Sequence, residues 1–302
     1  MNFVFSDEQR LFQRTVREFL DKECPPERVR AAAPGEAGWS FERWRGLAEL
    51  GVVGLTVPER HGGLGKDETD LVLLLEEAGR AALPEPLEQT TAVAVPLLRG
   101  MEPLDTARAE LQAIADGSTI ATYASAGTGG FHLTFIRPDG TRSGLAGAEA
   151  RIGGAEDPGF DRAAFAASAV LCGIAARVIE LAATYAGERR QFGKPIGSFQ
   201  AVKHLLADAL LGLDFARPAV YRAAWAMATD AESKGSDASM GKALASEAAM
   251  SACRSALQVH GAIGYTHEHD LHLWLTKGFA LAHSYGTAAW HRERVARATL
   301  DQ

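Results

Sequence analysis

Cysteine is scarce: Cys24, Cys172 and Cys253 are the only three in 302 residues, far apart and without a C-x-x-C pair. That spacing argues against a disulfide framework and predicts buried or free thiols in a reducing compartment. Long apolar runs are missing too. No stretch approaches ~18 uninterrupted apolar residues, which argues against a membrane span. The opening MNFVFSDEQR carries acids where a secretion signal needs a basic region and an apolar run, so a cytoplasmic protein is expected. Nor is there a basic excess. With 31 Lys and Arg against 38 Asp and Glu, the formal charge is −7, unsuited to bulk binding of a nucleic-acid backbone. The common nucleotide and hydrolase signatures are absent as well. No G-x-G-x-x-G links a strand to a helix, and no G-x-S-x-G elbow occurs. GERRQFGK at 187–194 has one residue too many between its glycines for a phosphate-binding loop, and it follows a helical stretch.

What remains is a globular composition, 47% hydrophobic and 23% charged, long enough for two domains or three small ones. The pattern predicts a mainly α fold. Ser6 reads as the N-cap of a helix over 6–21, where Leu11, Phe12, Val16, Phe19 and Leu20 recur at helical spacing. Pro25-Pro26 ends it. Further helices are expected over 41–50 and 68–82, then another after Pro84 and Pro86 to about Leu98. From Gly117 to Gly159 the chain is rich in Gly, Thr and Ser, with strand-like pieces at 119–123 and 132–136 and a P-D-G turn at 138–140. Helix then returns, with one stripe through Phe165, Cys172, Ile179 and Ala186. A second runs through Phe199, Val202, Leu206, Leu210 and Leu213. Helices should also cover 218–232, 237–260, 270–283 and 287–299, with Pro218 starting a segment or kinking a longer helix. Heavy alanine use at facing positions fits an antiparallel bundle.

One cluster invites a metal: His267, Glu268, His269, Asp270 and His272. On a helix, however, i and i+2 face different ways, and the H-E-x-x-H spacing is missing. A polar helix start is the simpler reading, and no metal site is expected.

Three longer segments, LGVVGLTVPERHGGLG at 50–65, ERRQFGKPIGSFQAVKHLLAD at 188–208 and QVHGAIGYTHEHDLHLWL at 258–275, together resemble the acyl-CoA dehydrogenase family of flavoproteins. The resemblance implies an N-terminal helical domain at 1–116, a shortened β middle region at 117–160 and a C-terminal four-helix-bundle domain at 161–302. It implies FAD as cofactor and an acyl-CoA as substrate. In the family, the Arg and Phe of R-x-x-F and the Gln and glycines of Q-x-x-G-G touch FAD held by the neighbouring subunit. Those positions are Arg189, Phe192, Gln258 and Gly261 here, with Gln191 as a further polar contact and Ala262 in place of the second glycine. The chemistry is apt on its own terms. A planar guanidinium holds a pyrophosphate through two hydrogen bonds, and an aromatic ring covers an adjoining flat surface. Arg189 and Phe192, three apart at a helix end, are expected to face one ligand together, with Ser198 capping the next helix.

The departures matter as much. The family's catalytic Glu lies in a Y-E-G-T segment; the matching stretch here is SYGT, with Tyr285 in the Glu position. A tyrosine of pKa ~10 makes a poor base near neutrality. FAASAVLCG at 165–173 offers no carboxylate at the alternative location, so no catalytic base is evident. The middle region lacks the family's flavin-covering loop, reading ATYASAGTGG at 121–130, and no Trp lies between Trp44 and Trp225. The position two beyond Thr287, usually polar, is Ala289. Groups that reach a neighbour's FAD persist, while those for the chain's own site have gone. The resemblance is nearest to actinobacterial members of steroid degradation. It implies a subunit that lends FAD diphosphate and adenosine contacts to a larger acyl-CoA dehydrogenase subunit in an α2β2 complex. Two other readings stand beside it: an autonomous enzyme using His283, Tyr285 or Glu293 as acid/base group, and a structural or metal-binding helical protein using 267–272.

Overall fold

The computed structural model describes residues 4–32, 38–101, 104–125, 131–146 and 159–300; the expected middle region thus lies partly outside the described residues, at 126–130 and 147–158. Helix α1, Asp7–Glu23, starts on the capping box of Ser6 and Gln9, and buries Val16 and Leu20. After α2, Pro26–Ala31, comes α3, Phe41–Glu49, with Ser40 accepting the Arg43 N–H. Arg43 makes a buried double contact with Glu85, at 2.9 and 2.6 Å. Helix α4, Glu68–Arg80, begins on an Asp67 cap. The predicted helix to Leu98 forms in pieces: α5 at Leu87–Gln89, a π-helical turn at Thr90–Ala94, and α6 at Val95–Gly100. Helix α7, Asp105–Ala115, was not expected; it buries Ala107, Leu111 and Ile114.

Three short strands follow, β1 Ile120–Ser125, β2 Phe131–Ile136 and β3 Arg142–Ala146, in one antiparallel sheet of order β1-β2-β3. Ile120 pairs with Ile136, and Phe135 with Ser143. The P-D-G turn is present: Gly140 has φ +81°, and Asp139 Oδ1 accepts from the Thr141 N–H and hydroxyl.

The rest is a bundle. Helix α8 spans Phe160–Glu188, α9 Gln200–Ala228 and α10 Lys234–His260; each packs on the other two. Two shorter helices, α11 at Leu271–His283 and α12 at Ala288–Leu300, lie against α10, and α11 also touches α8. By composition α8 could cross a membrane, yet 72% of its most apolar window is buried, so it reads as the core rod of the bundle. Pro218 starts no new helix. It sits inside α9, between buried Ala216 and Val220. Arg217 and Tyr221 on either side both donate to Glu76 of α4, which holds that turn despite the missing N–H.

Helices α4 and α8 cross almost backbone to backbone at Gly79 and Gly173. A Cβ on Gly79 would lie 2.0 Å from the Val170 carbonyl oxygen. One continuous cluster of buried apolar side chains therefore runs from α1 through the sheet into the bundle. All three cysteines are free and buried, and burial raises each thiol's pKa, which keeps them unreactive.

Candidate functional site

Helix α8 ends at Arg189, whose backbone turns extended (φ −67°, ψ 123°). The chain then forms a two-residue hairpin, β4 Arg190–Gln191 against β5 Lys194–Pro195. Its tip is Phe192-Gly193, with φ of +53° and +79°, the pairing of left-handed residues that a type I′ turn needs. Asparagine-glycine is the usual choice there. A phenylalanine in the left-handed region costs on the order of 1 kcal/mol, and this one is also 89% exposed. Strain and exposure together at one aromatic point to a ligand rather than to the core. Arg189 and Phe192 are thus not helix neighbours, as the spacing implied; a hairpin presents them. Ser198 does not cap α9 either, its hydroxyl donating back to the Pro195 carbonyl at 2.7 Å.

The second half of the site comes from the end of α10. Tyr185, one turn before Arg189, stacks on His260 with centroids 4.5 Å apart, so both helices end at the same end of the bundle. Gln258 is exposed on the last turn of α10. Gly261 then leaves the helix at φ +65°, ψ −141°, with open space where a side chain would stand. Ala262 is exposed in the following 3-10 turn, Gly261–Tyr265. The Arg189, Gln191 and Gln258 side chains have no protein partner among the described residues. Unpaired donors at the same end of the bundle as an open backbone turn are suited to a polyanionic ligand.

The SYGT loop lies between α11 and α12. Tyr285 has φ +55°, its ring 6.2 Å from that of Tyr123 on β1. Burial, with the charge of Glu88 behind it, pushes the phenol up to about 12, so it stays protonated and is no base. Two buried groups clamp this loop. Lys242 donates to Ser246 Oγ (3.0 Å), Ala282 O (3.1 Å) and Gly286 O (3.2 Å), and burial brings its pKa down to about 8. His291 Nε2–H donates to the Tyr285 carbonyl at 2.8 Å, while Nδ1 accepts from Ser239 Oγ at 3.0 Å. Burial first, and the nearby cations second, lower His291 to about 4. An unfolded chain therefore takes up protons below pH 6.5 that the folded one refuses. The His291 contribution to stability is expected to be complete above 6.5 and to be lost as pH drops towards 4, by on the order of 3 kcal/mol. Urea unfolding across that range, with His291→Gln flattening the curve, checks this.

Glu88 was invisible in the sequence. On α5 it is only 6% exposed, close enough for its charge to act on Tyr285, and has no hydrogen bond or ion pair among the described residues. His283 points elsewhere; its Nδ1–H donates to Phe279 O, and it lines a groove shared with Gln258 and Thr287. Glu293 is exposed and paired with Arg297. In the 267–272 cluster the rings are committed locally: His269 Nδ1 accepts from the Leu271 N–H, and His272 Nδ1–H donates to the His269 carbonyl. Among the described residues, no three His, Cys, Asp or Glu side chains are grouped to hold a metal.

Residues 6–102 match the acyl-CoA dehydrogenase N-terminal domain, and 157–300 match the acyl-CoA dehydrogenase C-terminal domain. Acyl-CoA dehydrogenase IpdE2 of Mycolicibacterium smegmatis is 33% identical, over 93% of this chain and 95% of its own length. The chain belongs to the acyl-CoA dehydrogenase family. Its fold is similar to the Tcur3481-Tcur3483 steroid ACAD (TM-score 0.80, 23% identity, 98% of each chain). It is also similar to the ChsE4-ChsE5 complex from Mycobacterium tuberculosis (TM-score 0.82, 20% identity, the whole of each chain). Members of this acyl-CoA dehydrogenase family are oxidoreductases acting on acyl-CoA, with FAD as cofactor. The donor set fits FAD's diphosphate: a free guanidinium, two free carboxamides, and a glycine turn with nothing in the way of a close approach.

Proposed function

We propose that this chain is the FAD-contact subunit of a heteromeric acyl-CoA dehydrogenase, an α2β2 complex acting on a steroid-derived CoA thioester. The observation that carries this is an asymmetry. Arg189, Gln191, Phe192, Gln258, Gly261 and Ala262 stand exposed at the end of the bundle, while the catalytic carboxylate position holds a protonated tyrosine. Exposed donors such as Arg189, Gln191 and Gln258, without a partner among the described residues, are available to a neighbour. Arg189 and Gln258 hold the diphosphate of FAD seated on the larger subunit, and Phe192 covers its adenosine side. Bound FAD supplies the hydride acceptor for α,β-dehydrogenation. The larger subunit contributes the base. The two similar structures, a steroid ACAD of paired components and the ChsE4-ChsE5 complex, support a heteromer and a steroid substrate. Residues 1–116, 117–160 and 161–302 form the three domains, and the complex is cytoplasmic.

Purified alone, the chain is expected to be colourless. Co-expressed with the product of a neighbouring dehydrogenase-like gene, it should purify as a yellow complex with about one FAD per unlike pair and activity on steroid-CoA thioesters. Flavin absorbance and mass measurement decide it; a yellow homo-oligomer reduced by acyl-CoA would overturn it.

One observation favours a second reading, the autonomous enzyme. Glu88 places a carboxylate beside Tyr285, where it could take the α-proton in place of the missing Glu. On that reading Glu88→Gln abolishes flavin reduction in the isolated chain.

A further inference from the structure

Tyr185 and His260 join the two halves of the candidate site. The Tyr185 carbonyl accepts the Arg189 N–H at 2.8 Å, and the Arg189 carbonyl accepts the Ile196 N–H at 2.8 Å, so the hairpin hangs from the last turn of α8. The Tyr185 ring lies on His260 at an interplanar angle of 25°. His260 is the last residue of α10, two beyond Gln258 and directly before the Gly261 turn. One ring stack therefore ties the Arg189 hairpin to the Gln258–Gly261 segment.

The stack is built for an uncharged imidazole. His260 is 4% exposed, and its Nδ1–H donates to the Ala256 carbonyl at 2.7 Å. Nε2 is then the bare nitrogen, buried and without a partner. A proton there would find no acceptor. The His269 ring stands 4.5 Å away at a steep angle, its Nδ1 already accepting from the Leu271 N–H. Beyond His269 lie further basic groups. Burial first, then the charges of His260, His272 on α11 and Arg30 on α2, push the His269 pKa down. The acids of these elements are engaged or exposed: Asp270 is taken by Arg30, and Glu188 and Glu268 are exposed without a partner among the described residues. On α9, which packs along α10, Lys203 and His204 are exposed as well. The Tyr185 face attracts a cation, but that gain is small beside the cost of burying an unpaired charge. Burial accordingly lowers the His260 pKa from the usual 6.5, with the Ala256 hydrogen bond opposing.

We propose that His260 is a positioning residue: neutral and stacked on Tyr185, it holds the Gln258–Gly261 turn in register with Arg189, and when it takes up a proton the stack opens and the two halves part. For its effect on FAD this rests on the proposed function, to which it adds a pH dependence that the contact residues lack. A guanidinium and two carboxamides do not titrate near neutrality, whereas a histidine does. The neutral form prevails above 6.5, so FAD binding is tightest there and weakens as pH falls.

The experiment titrates the flavin-stripped complex with FAD between about pH 5.5 and about pH 8, the range in which histidine changes charge, with mass by light scattering as control. Affinity in the parent should fall about tenfold from the upper limit to the lower, at constant mass. His260→Phe keeps a flat ring for Tyr185 and has no nitrogen to titrate. It should match the parent within about twofold at the upper limit and stay level below. His260→Ala loses the stack and should bind more weakly at every pH. A parent affinity that does not change with pH overturns the assignment, as does a His260→Phe profile that falls like the parent's, or a complex that dissociates as the pH drops. If Arg189→Ala leaves FAD affinity unchanged at every pH, the proposed function fails instead. The stack is then judged on the isolated chain by amide hydrogen exchange across 261–265, corrected for its intrinsic rate. Exchange should rise below pH 6.5 in the parent and not in His260→Phe; the same exchange in both overturns the inference.

Discussion

Replacing Arg189 by alanine should cut the FAD affinity of the assembled complex about a hundredfold while leaving assembly and folding unchanged. The reasoning starts from what Arg189 does not do. It lies beyond the last turn of α8, exposed, its side chain without a partner among the described residues, so truncation leaves no buried group unsatisfied. Against a diphosphate the guanidinium makes two parallel charge-assisted bonds, together about 3 kcal/mol, and every 1.4 kcal/mol is tenfold. Arg189→Lys keeps the charge and loses the fork, so it should fall between the two. Phe192→Ala keeps the left-handed backbone cost and loses only the ring, and should cost less. FAD titration of the stripped complex, with its mass as control, measures all three. Unchanged FAD affinity in Arg189→Ala would remove the trans-contact reading at its base.

The candidate contact residues stand out in the sequence because R-x-x-F and Q-x-x-G-A are contiguous words. How they are presented does not. Helical spacing suggested that Arg189 and Phe192 share a face; the actual device is a hairpin whose tip needs two positive φ values, a demand that Phe-Gly does not advertise. At Pro218 local chemistry leaves a new start or a proline within a longer helix open; the second holds, and Glu76, on a different helix, engages the residues on both sides of it. Helix α7 goes unmarked in the sequence although Ala107, Leu111 and Ile114 carry the period, because its N-cap, Leu104, offers no side-chain cap. Glu88 and Tyr285 are far apart in the chain, and only the fold brings the charge of Glu88 to bear on the phenol. Local signals were legible; pairings between distant segments were not.

Gly173→Ala should destabilise the protein by about 3 kcal/mol or more, against the sign that helix propensity gives. In an exposed helix the change would gain about 1 kcal/mol. Here the new Cβ would stand 1.8 Å from the Glu76 carbonyl oxygen and 2.8 Å from the Arg80 nitrogen. Neither neighbour is a side-chain end that can swing away, so α4 and α8 must separate. Separation disturbs more than one contact. Glu76 is also the acceptor for Arg217 and Tyr221, so moving α4 strains its hold on α9. Overpacking of a core costs 1–3 kcal/mol where side chains can adjust, and a backbone collision belongs at or above the upper end. Gly79→Ala meets the Val170 carbonyl at 2.0 Å and should behave alike. The double variant should cost less than the two single losses combined, because one displacement relieves both clashes. Gly187→Ala, near the end of the same helix with nothing within 4 Å, is the control and should be neutral or slightly stabilising. Urea midpoints compare the four directly. Equal midpoints for Gly173→Ala and Gly187→Ala would mean that the α4–α8 crossing is not what ties the N-terminal helices to the bundle carrying Arg189.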